Sequence, residues 1–100
     1  MLARAREILP RLQQEYDRDY YSGIICERRA RALVRQGTPG SLPMASDWFR
    51  EAMAYYERAE AIRPAGNDDA LLRWNACARF VRRHPQPEPT PDEQMEPYLE

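Results

Sequence analysis

The chain contains no lysine; all 15 of its basic residues are arginine. It holds a single histidine, His84, and two cysteines, Cys26 and Cys77, which lie on separate expected helices with no CxxC pairing. That inventory supplies neither a four-ligand zinc site nor a disulfide framework, so no metal and no cofactor is expected. Two reduced thiols acting as small buried hydrophobes are expected instead. No apolar run approaches the roughly 18 residues of a membrane span. Residues 1–10 carry Arg4, Arg6 and Glu7 where a signal peptide needs an apolar stretch, so the chain reads as cytoplasmic with no membrane partner. An arginine-only basic set is what a GC-rich coding genome produces, which points to a bacterial source.

What is present is enough for a packed core. Hydrophobic residues make up 43% of the 100-residue chain and charged residues 31%, a balance that places it with globular domains. The formal net charge of −1 conceals an asymmetry. Residues 85–100 hold five acids (Glu88, Asp92, Glu93, Glu96, Glu100), five prolines and no base, and read as a disordered, Pro-rich acidic tail. Removing those five of the 16 acids leaves 11 against 15 arginines, so residues 1–84 form a body of about +4.

Periodicity predicts an all-α body of about four helices. Leu2, Ala5, Leu9, Leu12 and Tyr16 recur at spacings of three and four, the mark of one helical face. Pro10 interrupts them at a cost of about 3 kcal/mol in a helix interior, which favours a kinked or two-piece helix over one long helix spanning 2–36. Asp17 or Asp19 can cap a second segment with Ile24, Ile25, Ala30, Leu33 and Val34 on its apolar face, and Gly23 weakens its early part. Two glycines and two prolines in residues 37–43 predict a loop. Ser46 is then read as the cap of a helix with the seam Trp48, Ala52, Tyr55 or Tyr56, Ala59, Ile62. Asn67 or Asp68 caps a last helix through Leu71, Trp74, Ala78 and Val81, with Trp74 expected largely buried. Sustained alternation of strand length is absent from the sequence.

One pattern carries a resemblance. Ala52-x3-Tyr56-x2-Ala59-x4-Pro64 is similar to the second helix and closing proline of a tetratricopeptide (TPR) unit, and residues 70–75 are similar to the opening of a following unit. Small Ala52 and Ala59 allow close helix approach, Tyr56 fills the space between, and Pro64 ends the helix. Residues 38–47 then look like an inserted loop of about ten residues. The resemblance implies antiparallel helical hairpins and a protein-interaction role, an adaptor or scaffold. If it holds, the first helix of each unit lines the inner face. Arg28, Arg31 and Arg35 then share that face with Arg73 and Arg79, and Asn75 adds an amide. Arginine forks bind carboxylates in pairs of hydrogen bonds, so an acidic peptide or protein is the expected partner. The plainer reading is a solvated face with pairs such as Glu27 with Arg31 and Asp69 with Arg73.

Other chemistry is thinly represented. Asp17 and Asp19 beside Tyr16, Tyr20 and Tyr21, the pair Asp68/Asp69, and Ser22, Ser41 and Ser46 each have simpler roles as caps or turn residues, so no catalytic residue is assigned and no enzyme is expected. Arg79, Arg82, Arg83 and His84 make a short basic cluster whose fit to a helix C-terminus makes nucleic acid the weakest of the binding readings. The alternative to an adaptor is a structural helical bundle that buries an aromatic face against a second copy, and the sequence leaves the oligomeric state open.

Overall fold

The computed structural model describes the backbone of residues 2–85 and the side chains of residues 10–85. Three helices occupy that span: α1 (Leu2–Gln36), α2 (Ser41–Ala61) and α3 (Asp69–Arg83). The all-α expectation holds, and the count of four is corrected to three, because α1 runs unbroken through Pro10. Pro10 is exposed and precedes Tyr16, the first residue of the buried cluster. Asp17 and Asp19 therefore cap nothing; they lie in mid-helix. Of the segment read as a disordered tail, residues 86–100 lie outside the described residues.

The connection between α1 and α2 is also shorter than its composition suggests. Gly37 (φ 66°) and Gly40 (φ 82°) adopt the left-handed conformation that other residues avoid. Gly37 sends its N–H back to the Leu33 carbonyl, which closes α1. Gly40 stands at the N-cap of α2, so Ser41, Leu42 and Pro43 already belong to its first turn. Proline is tolerated there because first-turn N–H groups have no helical acceptor. Most of the expected ten-residue loop is thus helix. Ser46, read as the cap, lies inside α2 and is fully buried, its hydroxyl without a partner. The second connection follows expectation more closely. Asp68 is the N-cap residue of α3, while it is the neighbouring Asn67 whose side-chain oxygen accepts the Asp69 N–H at 3.0 Å.

The helices pack as a hairpin plus one. Gly23, Glu27 and Arg31 of α1 meet Tyr56 and Phe49 of α2 in reversed order, so these two run antiparallel. Glu57 with Trp74, and Phe49 with Phe80, give the same sense for α2 and α3. The buried cluster joins Tyr16, Ile24, Cys26 and Ala30 to Ala45, Phe49, Ala52, Tyr56 and Ala59, and to Ala70 and Cys77. Gly23 is required by Tyr56: a Cβ at that position would lie 2.5 Å from Tyr56 Cε1. Both cysteines are buried and reduced. Burial, with Glu27 beside it, pushes the Cys77 thiol up to about 12, and burial raises Cys26 as well, so both are neutral thiols at physiological pH. Trp74 is only half-buried; its indole N–H donates to Glu57 Oε1 at 3.0 Å, so the ring sits at the rim of the α2/α3 contact. Among the described residues no helix is long and apolar enough to cross a membrane.

Candidate functional site

The most organised polar feature lies where all three helices meet. Tyr20, Gly23, Glu27 and Ala30 follow a three-four-three spacing, which turns them to one side of α1, towards α2 and α3. Glu27 is consequently only 6% exposed. Burial of a carboxylate is costly unless it is paired and hydrogen-bonded, and Glu27 has three partners. The Tyr56 hydroxyl of α2 donates to Oε1 at 2.8 Å, Arg31 Nε donates to Oε2 at 2.9 Å, and Arg73 Nη1 of α3 stands 3.6 Å from Oε1. Arg73 in turn donates through Nε to the Tyr20 hydroxyl at 2.8 Å.

The protonation consequences follow from that geometry. Burial is the strongest influence on Glu27 and acts to raise its pKa. The hydrogen bonds from Tyr56 and Arg31, with the charges of Arg31 and Arg73, together outweigh burial, and the carboxyl sits below its ordinary value. Burial first, and then the hydrogen bond to the Glu27 carboxylate, drive the Tyr56 phenol far above its usual range. Near neutral pH the centre is a carboxylate holding a neutral phenol and two guanidinium groups.

Above this centre runs an open groove between α1 and α3. Arg31 and Arg73 line it with Tyr20, Asp69, Leu72 and Ala76. It continues along α1 past Tyr21, Ile24, Ile25 and Arg28. Three of the six residues singled out in the sequence, Arg28, Arg31 and Arg73, therefore border one depression. Arg35 lies one step further along α1, in a smaller cleft with Arg31, Val34, Phe49 and Phe80. Arg79 is exposed and, at three and seven residues after Ala76 and Leu72, continues their stripe on α3. Asn75 lines none of these clefts; helical spacing sets it beside Leu71 and Ala78 instead.

The pairing differs from the simplest surface pattern. Glu27 and Arg31 form the anticipated i,i+4 pair, but Arg73 turns to Glu27 and Tyr20, and Asp69 is in none of the ion pairs among the described residues. Arg28, Arg35 and Arg79 also form none. Sequence reasoning missed Glu27 as an organising residue and Tyr20 as Arg73's partner. The available signal was the stripe that puts Glu27 in register with Gly23 and Ala30. Tyr21, 63% exposed, is the large aromatic the groove leaves most open to solvent. Among the described residues no group of three or more His, Cys, Asp or Glu side chains is placed to hold a metal ion. Compared with protein-family models, curated proteins and solved structures, the chain has no significant match.

Proposed function

We propose that the chain is a protein-interaction module, an adaptor built on a TPR-like helical hairpin, whose α1/α3 groove takes an acidic peptide or protein segment. The observation that carries this reading is the fixing of Arg31 and Arg73 by Glu27 and Tyr20, with Arg28 beside them and without an ion pair. Guanidinium groups already held in place lose less side-chain freedom on binding than free ones, which favours affinity. Each can satisfy Glu27 with one edge and present its remaining N–H donors outward to a carboxylate. Tyr21 and Leu72 add apolar contact beside the charges. Nucleic acid fits less well, since Asp69 and Glu27 lie within the same groove and would oppose a phosphate backbone.

Fluorescence anisotropy with a labelled Glu/Asp-rich peptide tests the proposal. Arg28→Ala removes an exposed guanidinium group of the groove that forms no ion pair among the described residues, so the fold should survive. Affinity should fall about tenfold or more at low salt, and the difference should shrink at an ionic strength where the Debye length is about 8 Å. Deleting residues 86–100, with acids at 88, 92, 93, 96 and 100, should tighten the same titration, because a tethered acidic segment competes at high effective concentration. Equal affinity of all three proteins would remove the groove as the binding face.

A further inference from the structure

The flank of α2 turned away from α3 carries a second pattern that the groove does not use. Met44, Trp48, Glu51, Tyr55 and Arg58 follow one another at spacings of four, three, four and three, the heptad seam by which one helix packs along another, and Ile62, the C-cap residue just past α2, comes four positions later. Part of this seam borders an open cleft of about 490 Å³, with Trp48, Glu51 and Tyr55 on one side and Ile25, Cys26 and Arg29 of α1 on the other. Met44 is 54% exposed and Ile25 is 53% exposed, and Trp48, Tyr55 and Ile62 are half-buried. Apolar and aromatic residues in continuous register at the surface mark an association face.

The charges on this flank say what covers it. Asp47 and Glu51 stand towards the start of α2 and Arg58 towards its end, and among the described residues none of the three is in an ion pair. Arg58 is held on the flank by the Tyr55 ring, with Cζ 5.1 Å from the ring centroid, and Arg29 lies 4.8 Å over Trp48. A helix that is acidic at one end of its seam and basic at the other is complementary to itself when reversed. We infer that this flank is a two-fold interface with a second copy of the chain, formed by antiparallel packing of α2 on α2. Centring the two-fold at position 53 sets Met44 against the partner's Ile62 and Trp48 against the partner's Arg58. It also sets Glu51 against the partner's Tyr55, one layer from the partner's Arg58. Apolar layers, cation–π layers and layers of Glu51 on the tyrosine ring thus follow one another along the seam, each occurring twice by symmetry, with opposite charges one layer apart.

The interface lies on the side of α2 away from α3 and meets the groove only at Ile25, which borders both clefts, so a dimer leaves Arg31 and Arg73 uncovered. Dimerisation and peptide binding are then compatible, and a monomer–dimer measurement alone does not separate an adaptor from a self-associating bundle; the peptide titration does.

The test is a charge swap on the full chain, read by sedimentation velocity over an about hundredfold range of concentration. The parent should dimerise. Glu51→Arg sets arginine near the partner's Arg58 at both symmetric contacts, and Arg58→Glu sets glutamate near the partner's Glu51. Each variant should raise the dissociation constant about tenfold or more. Both positions are exposed, so unchanged helical circular dichroism and melting of the variant monomers keep a fold defect apart from an interface defect. Mixing the two variants should restore a dimer, because the mixed pair regains opposite charges at both contacts. A parent that stays monomeric, single variants that dimerise like the parent, or a mixture that stays monomeric would each overturn the assignment.

Discussion

The three-helix core has two ends built on different physics. At one end Glu27, Tyr56, Arg31 and Arg73 form a buried, charge-assisted cluster across all three helices. At the other, Phe49 and Phe80 pack as tilted rings with centroids 4.4 Å apart, and Phe80 lies a further 4.4 Å from the His84 ring; Arg31, 5.5 Å from the Phe49 centroid, joins the two ends. The aromatic end gains stability from every pair of contacting carbons and is indifferent to how it is approached. The polar end gains little net energy, because burying a carboxylate offsets most of what its partners return, but its hydrogen bonds are directional and are met only when Tyr56 and Arg73 both reach Glu27. Apolar contact and polar matching therefore divide the tasks of holding the fold and of specifying it.

The largest expected effect is at the aromatic end. Phe49 is fully buried, and Phe49→Ala should cost about 3–5 kcal/mol, close to the whole stability of a domain this small. Thermal melting at several pH values would check both the size of the loss and its independence of pH over the acid range. A loss that varied strongly with pH below 5 would contradict the division between the two ends.

At the polar end the expected cost is smaller and depends on pH. Glu27→Leu strands the buried Tyr56 hydroxyl, worth about 1–3 kcal/mol, while Arg31 and Arg73, each nearly half-exposed, can turn to water. Since the folded-state pKa of Glu27 is depressed below its ordinary 4.5, its ionised form contributes stability that is fully present above that value. The contribution is lost as pH falls through the lower folded pKa. Parent and Glu27→Leu melting temperatures should accordingly converge as pH drops below about 4.5, and a constant gap across that window would show that Glu27 is not ionised in the fold.

Gly23→Ala sharpens the same comparison at the contact between α1 and the Tyr56 ring. In an unobstructed helix this substitution gains about 1 kcal/mol of helix propensity. Here the new methyl would meet a fully buried ring at 2.5 Å, and overpacking of about 1–3 kcal/mol should reverse the sign. Gly23→Ala combined with Tyr56→Leu should be more stable than the sum of the two single changes implies. Strict additivity in a double-mutant cycle would mean that the two side chains are not in contact.

These positions also define what the sequence could disclose. Ala52, Tyr56 and Ala59 were readable as close-contact residues, and all three are fully buried, because small-large-small spacing on a helix has few other uses. Arg28 and Arg31 were readable as sharing a side of one helix from spacing alone, whereas setting Arg73 beside them rested on the tetratricopeptide resemblance. The roles of Pro10, Pro43 and Gly23 were not readable, because the prolines' effects depend on where each helix starts and Gly23's on a neighbour distant in sequence. Pro10 is exposed and α1 runs through it, and Pro43 falls in a first turn where no bond is lost. Gly23 reads as a weak helix former until Tyr56, 33 positions away, is placed against it. Glu27 was hidden for a related reason: an i,i+4 partner in Arg31 is the usual sign of a solvated face, and only the arrival of α2 and α3 turns it inward.

Ser46 gives the smallest predicted effect and the only stabilising one. Serine is favoured at helix N-caps because its hydroxyl can accept a backbone N–H there, and the Gly-Pro-rich stretch before it invites that reading. Gly40 takes the N-cap position instead, which leaves Ser46 in the second turn of α2, fully buried and with its hydroxyl unpartnered. An unpaired buried hydroxyl costs stability, and serine is a poorer helix former than alanine. Removing one oxygen opens almost no cavity, so Ser46→Ala should gain about 0.5–1.5 kcal/mol, seen as a rise of several degrees in melting temperature. Because Ser46 belongs to neither the aromatic pair nor the Glu27 cluster, the gain should add independently to the losses caused by Phe49→Ala and Glu27→Leu. A destabilised Ser46→Ala would reveal that the hydroxyl holds a hydrogen bond within the core, and would move Ser46 into the set of polar residues that fix how α2 and α3 register.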